Sequence, residues 1–243
     1  MVHKINWGKF LTEEEEMKKG LGRLLITMSI IFALAVGGVI GHSIGISSYV
    51  PVIEKLEAKV VATEREKEKE AELTFVRLDL QEYQHLSPEI RERMLAALDS
   101  ASRKYRIPVG FLHAILRIES NYQFQIDHPK VTIKIKGKPV TTCARGLGGV
   151  MWDIWADSLK ANGICNAVSD LYVPENSIMA SAYILRYETD RTLSRSKNVS
   201  AYNIIREIIK SYYGAYSAPY EARMMQVTNE LWLKRIAKDL ITG

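Results

Sequence analysis

The chain has 243 residues, enough for one or two domains. Its hydrophobic share of 47% and charged share of 25% fit an ordinary globular protein. The net charge of +5 is mild, the Lys and Arg residues are scattered, and no nucleic-acid motif is present, which argues against DNA or RNA as a partner. The averages conceal a sharp segregation, because one early segment carries almost no charge and the next is almost all charge.

Residues 1–23 read as a charged N-terminal tail. Lys4, Lys9, Lys18, Lys19 and Arg23 surround an acidic run from Glu13 to Glu16, and Thr12 with Glu15 would cap a short helix there. From Leu24 to Val50 there is no Asp, Glu, Lys or Arg. A bilayer core needs about 20 apolar residues, so residues 24–50 are predicted to form a transmembrane helix. The long acidic region before it and the lack of an A-x-A-like site favour an uncleaved anchor over a signal peptide. Lys18, Lys19 and Arg23 lie closer to the span than Lys55 and Lys59, which places the N-terminus in the cytoplasm. Gly37, Gly41 and Gly45 recur every four residues and offer a face for pairing with another membrane helix, although glycine is common in such helices in any case.

Residues 51–86 are predicted to be a charged helical stalk. Pro51 breaks the helix at the membrane surface, and alternating charges from Glu64 to Glu72 support an exposed helix through neighbouring opposite pairs. Ile53, Leu56 and Val60 start a coiled-coil stripe that the charged run interrupts, and Leu73, Val76 and Leu80 resume it. A short oligomeric stalk fits this pattern. A single solvated spacer helix fits it more plainly.

Residues 87–243 make up the expected working domain. Ser87-Pro88 is a helix start with a capping Ser and Pro at the first position, and this helix should run to about Lys104. Ile107-Pro108 breaks it and opens a second helix, in which Leu112, Ile115, Leu116 and Glu119 fall at i, i+3, i+4 and i+7. The stripe is apolar up to Glu119. A carboxylate at the mouth of an apolar face is partly desolvated, which raises its pKa and suits it to general acid work. The plainer alternative is a Glu turned to solvent. Lys130 to Thr142 alternates apolar and polar residues about Gly137, the pattern of a β-hairpin turning at Lys136-Gly137-Lys138. A glycine-rich loop, Ala144 to Met151, leads into a helix. Further helices are predicted from Glu175 to about Leu193, from Ala201 to Tyr212 and from Pro219 to Leu240.

Four landmarks occur in an order that resembles the soluble lytic transglycosylase (SLT, lysozyme-like) family. The run Tyr105 to Asn121 is similar to the segment that ends in that family's Glu-Ser pair. Ala144-Arg-Gly-Leu-Gly-Gly-Val-Met151 resembles its Gly-Leu-Met-Gln motif, Val173 to Tyr187 the helix that follows, and Ser211-Tyr-Tyr-Gly-Ala215 its Ala-Tyr-Asn-Ala-Gly motif. The literal Ala201-Tyr202-Asn203 comes too early and opens a helix. The resemblance covers about residues 88–235. It implies a mainly α, lysozyme-like transglycosylase domain with a small β-hairpin, which the transmembrane helix and stalk read from hydropathy and charge would precede.

The resemblance also implies a chemistry. The family cleaves the β-1,4 bond between N-acetylmuramic acid and N-acetylglucosamine in peptidoglycan without adding water, leaving a 1,6-anhydro sugar. One Glu serves first as acid to the glycosidic oxygen and then as base to the 6-hydroxyl. By motif that residue is Glu119. Ser120 would orient it, Gly146 and Leu147 would shape the sugar groove, and Tyr212 with its neighbour Tyr213 would contact Glu119 or a sugar. Trp152 and Trp155 are aromatic groove candidates that fit a core equally well, and Tyr212 fits a core tyrosine. Asp127 and Asp153 are candidates for a second carboxylate by position only, and each also suits a turn or helix cap. Two departures stand out: Gly148-Gly149 replaces Met-Gln, removing an amide that would contact sugar, and the gap between Glu119 and Gly146 is long, so the predicted hairpin would form a wall or lid.

Cys143 and Cys165 flank the glycine loop and its helix. In an extracytoplasmic domain they are a candidate disulfide worth about 3 kcal/mol, the alternative being two buried free thiols. No Cys/His spacing suggests a metal and no motif suggests a cofactor. His113 and His128 read as packed or solvent-facing. The expected partners are therefore peptidoglycan, a bacterial inner membrane or phage membrane entered by one helix, and a homo-oligomer or secretion or phage assembly engaged through the glycine face and stalk. An inactive wall-binding scaffold and a lysozyme-type hydrolase are the competing functions.

Overall fold

The computed structural model describes residues 50–195, 201–213 and 222–223. The tail 1–23, the span 24–50 apart from Val50, the Gly37/Gly41/Gly45 face and the helix expected at 219–240 apart from residues 222–223 lie outside the described residues. Among the described residues no helix is long and apolar enough to cross a membrane. The chain divides into two compact units, 1–64 and 65–243.

The first helix, α1 (Val50–Gln81), runs across that division. Its residues from Glu54 to Glu68 are exposed or half-exposed, including Leu56 and Val60. The later turns behave differently. Val76 and Leu80 are fully buried members of the main core, and Leu73 packs against it. The apolar stripe that resumes at Leu73 is thus covered by the chain's own domain, where the sequence suggested a stalk or spacer. Lys69 pairs with Asp99 at 2.6 Å, holding α1 to the next helix.

That helix, α2 (Pro88–Tyr105), starts as its sequence dictates: Pro88 occupies the first turn and the Ser87 hydroxyl accepts a bond from the Ile90 amide at 3.3 Å. It ends at Arg106 in a left-handed conformation. Helix α3 (Val109–Ser120) follows Pro108. Every residue from Val109 to Leu116 is buried, not one stripe alone, so α3 is a central helix of the kind that is apolar all round. The hairpin pairs β1 (Val131–Ile135) with β2 (Lys138–Thr142) through Ile135 opposite Lys138. The connecting residues Lys136 and Gly137 have φ of 49° and 81°, the tight hairpin turn that matches strand twist. A second, shorter hairpin joins β3 (Ala144–Arg145) to β4 (Val150–Met151) around the glycine loop. Then come α4 (Trp152–Ala161), a 3-10 turn (Val168–Tyr172), α5 (Pro174–Arg195) and α6 (Ala201–Tyr213).

Helix α5 divides two apolar clusters. Ile178, Ala182 and Leu185 join the main core with α2, α3 and α6, whereas Ala180 and Ile184 join a smaller one with Val150, Leu159, Ile164, Cys165 and Leu171. The architecture is mainly helical with a small hairpin, consistent with the lysozyme-like fold expected from the sequence.

Three polar contacts tie α1 to α3. The Gly110 amide donates to Glu72 at 3.4 Å, at the amino end of α3 where backbone amides lack helical partners. Arg117 donates to Asp79 at 2.7 Å, and His113 Nε2 stands 3.2 Å from the other Asp79 oxygen. Burial pushes the Asp79 carboxyl up, but the adjacent His113 ring and the Arg117 charge outweigh this, and its pKa lies below the ordinary 3.8. A carboxyl depressed in the folded state stabilises fully above its unfolded pKa, and the effect fades as pH falls through the folded value. Asp79→Ala is expected to cost about 3 kcal/mol at pH 7, because it strands a buried partner. Urea melts at pH 7 and at pH 3 should show that difference narrowing in acid.

Candidate active site

Glu119 sits one residue before the end of α3. It is half-buried. The chain leaves the helix through Asn121 and Tyr122, with φ of 50° and 61°. A bulky residue in that region costs about 1–2 kcal/mol, and several contacts hold Tyr122 there. It is fully buried, its hydroxyl bonds His113 Nδ1, and Tyr83 packs edge-on at 5.0 Å between centroids. His85 reaches the Tyr122 carbonyl at 3.3 Å. The exit from α3 is therefore fixed, and with it the place of Glu119.

The glycine loop supplies the opposite side. Gly149 has φ of 60°, and a β-carbon there would stand 2.8 Å from Glu119 Oε2 and 3.7 Å from His128 Nε2. The carboxylate thus lies over the bare Cα of Gly149 and is not turned out to solvent. Gly148 is equally confined: a β-carbon would meet Ser181 Oγ at 1.8 Å and the Tyr212 hydroxyl at 2.8 Å. The departures from Met-Gln are therefore matched by the local packing, since neither position has room for a side chain without rearrangement. The Leu147 amide donates to Ser177 Oγ at 2.9 Å, and the Tyr212 hydroxyl donates to the Gly148 carbonyl at 2.8 Å. Burial and the Glu119 charge both push the Tyr212 phenol up, against a smaller opposing effect of the Ser181 hydrogen bond. Tyr212 is then a hydrogen-bond donor beside the carboxylate.

The other expected site residues divide. Gly146 and Leu147 lie in the loop facing α5, with Leu147 in the main core. Ser120 is buried and donates to the Leu116 carbonyl at 3.0 Å, the bond of a helix-end serine. Trp152 and Trp155 pack on the smaller cluster, with Lys160 5.5 Å above the Trp152 ring and Tyr187 5.2 Å from Trp155. Tyr213 is exposed. Asp127 accepts from the Tyr172 hydroxyl and pairs with Arg145 at 3.7 Å, while Asp153 accepts from the Thr142 hydroxyl. Both carboxylates are committed to structural partners. Cys143 and Cys165 are buried and unbridged, in place of the expected disulfide. Cys165 belongs to the smaller cluster and Cys143 does not. The Cys165 thiol is pushed up to about 11 by burial and by Asp170. Among the described residues no group of three His, Cys, Asp or Glu could hold a metal ion.

Sequence reading did not bring Ser177, Ser181 or His128 to the site. The two serines carry a faint signal, standing four apart on one face of α5. His128 carries none, because the long hairpin separates it from the loop it approaches.

The half-buried Glu119 at the end of a buried helix thus faces a glycine loop, with Tyr212 beside its carboxylate. Residues 96–223 match the family described as Transglycosylase SLT domain, and the chain belongs to that family of lytic transglycosylases of peptidoglycan. No curated protein and no solved structure matches the chain.

The loop makes a graded prediction. Gly148→Ala should destabilise by about 3 kcal/mol through overpacking, Gly149→Ala by about 1–2 kcal/mol through its backbone, and Tyr212→Phe by about 1 kcal/mol through one lost hydrogen bond. Denaturant melts of the three variants check that order.

Proposed function

We propose that this chain is a membrane-anchored lytic transglycosylase in which Glu119 is the single acid and base. The observation that carries this reading is the Glu119 carboxylate held over Gly149 beside Tyr212, while Asp127 and Asp153 are engaged elsewhere. Ordinary glycosidases use two carboxylates, one as acid and one as nucleophile or water-activating base. A lone carboxylate suits a reaction in which the substrate supplies its own nucleophile.

The steps balance without water. Protonated Glu119 gives its proton to the oxygen joining N-acetylmuramic acid to N-acetylglucosamine. The C1–O4 bond breaks and the N-acetylglucosamine end leaves with that proton. The muramic 6-hydroxyl then attacks C1, its proton passes to the Glu119 carboxylate, and the 1,6-anhydro ring closes. Glu119 ends protonated, ready for another cycle. The Tyr212 hydroxyl, its proton held by the Gly148 carbonyl, accepts from a sugar hydroxyl between the two transfers, and the exposed hairpin forms a wall of the groove.

The uncharged run 24–50 supports a single-pass anchor, with Lys18, Lys19 and Arg23 on the cytoplasmic side and the catalytic domain across the membrane. An anchored enzyme cleaves only what its tether reaches. That suits local opening of the wall for an envelope-spanning machine or for phage DNA entry.

The test is digestion of purified peptidoglycan by the full chain in detergent, read by mass spectrometry, with Glu119→Gln alongside. Wild type should release anhydro-muropeptides, and Glu119→Gln should be slower by at least about a hundredfold. Reducing muramic ends would instead identify a hydrolase. Glycan binding without products from either chain would identify a wall-binding scaffold.

A further inference from the structure

We infer that His128 is a substrate-binding residue of the Glu119 site, its Nε2 hydrogen-bonding a hydroxyl or acetamido group of the sugar on which Glu119 acts. The inference rests on the reading of Glu119 given above and adds a residue from a different part of the chain.

The segment Ile126–His128 runs along the glycine hairpin as a further edge. The His128 amide donates to the Ala144 carbonyl at 2.9 Å, the Gly146 amide donates to the Ile126 carbonyl at 3.0 Å, and Asp127 bridges to Arg145. These bonds set the backbone of His128 against the loop. Its side chain reaches the space over Gly149, with Nε2 3.7 Å from where a β-carbon would stand. Glu119 Oε2 reaches the same space from α3, at 2.8 Å. Two polar ends from separate elements thus converge where the loop has no side chain.

His128 Nε2 is buried and has no hydrogen-bond partner among the described residues. A buried nitrogen without a partner is costly and calls for an explanation. A ring that only packed would leave it unpaired, whereas a saccharide in the groove would pair it. Burial lowers the pKa of this imidazole, with the Asp127 charge opposing in part. The neutral ring has one N–H and one lone pair, and a sugar hydroxyl answers either.

The experiment uses the full chain in detergent with soluble, uncross-linked peptidoglycan strands. His128→Phe and His128→Ala remove the nitrogen, and His128→Gln retains a polar group at similar reach. The expected result is a KM about fivefold higher for the first two, with kcat less affected, and a KM within about twofold for His128→Gln. Adding His128→Phe to Glu119→Gln should weaken strand binding by the same factor. Unchanged KM and binding in variants that melt like wild type would overturn the inference. So would equal losses in all three variants with lowered melting, the mark of a packing role. If wild type releases no product, the transglycosylase reading fails on its own, and strand binding by wild type against His128→Phe still decides the role of His128. If wild type neither cleaves nor binds strands, both are overturned.

Discussion

The Asp79 carboxylate beneath α3 is the contact on which the site depends. A buried carboxylate without partners would be very costly. Here one oxygen takes Arg117 at 2.7 Å and the other faces His113 at 3.2 Å. Those two residues lie four apart on α3, so a single carboxylate fixes both the rotation and the height of the helix. Glu72, two turns earlier on α1, receives the Gly110 amide at the helix's other end. Helix α3 is apolar around nearly its whole girth, and apolar packing alone leaves such a helix free to slide or turn. The polar contacts remove that freedom, and Glu119 inherits its position from them.

The loop side is anchored by an independent set of bonds. Ser177 holds the Leu147 amide and Tyr212 holds the Gly148 carbonyl, so α5 and α6 each grip one peptide of the loop. Ser181 lies so close to Gly148 that only a bare Cα fits between them. The close approach of loop to helix explains why the two glycines stand together. Gly148 permits the packing, and Gly149 leaves the opening that Glu119 and His128 share.

Much of this was legible in the amino-acid order. Ser87-Pro88 marks a helix start through capping chemistry, and Lys136-Gly137 marks a hairpin turn through its tolerance of positive φ. Both are local effects, so the sequence alone carries them. Glu119 stood out because an apolar helical stripe ends on a carboxylate. The fate of Val76 and Leu80 was not legible in the same way. Their spacing fits a self-associating helix as well as one packed on its own domain, and the dense charge before them favours an exposed helix. The choice is made by residues such as Leu98, Phe111 and Ile115, which share the same core. The pairing of Asp79 with His113 and the approach of His128 to Gly149 are likewise long-range, and no periodicity reports them. The cysteines illustrate the converse error. Their flanking positions suggested a bridge, but Cys165 is taken up by an apolar cluster that does not include Cys143.

The supports of Glu119 come from residue 79 on one side and residue 212 on the other, and this bears on where the functional domain begins. A division at Ser87, natural from the capping signal, would remove Asp79, Val76 and Leu80 together. Arg117 and His113 would lose their carboxylate, and the main core would be uncovered along the face that α1 now closes. The compact unit instead starts near Arg65. The charged run from Glu64 to Glu72 lies almost wholly within that unit, and its Lys69 and Glu72 already engage Asp99 and the Gly110 amide. From Leu73 onward the same helix packs into the main core and its Asp79 holds α3, so the last third of α1 belongs to the domain that positions Glu119, whatever its composition suggests.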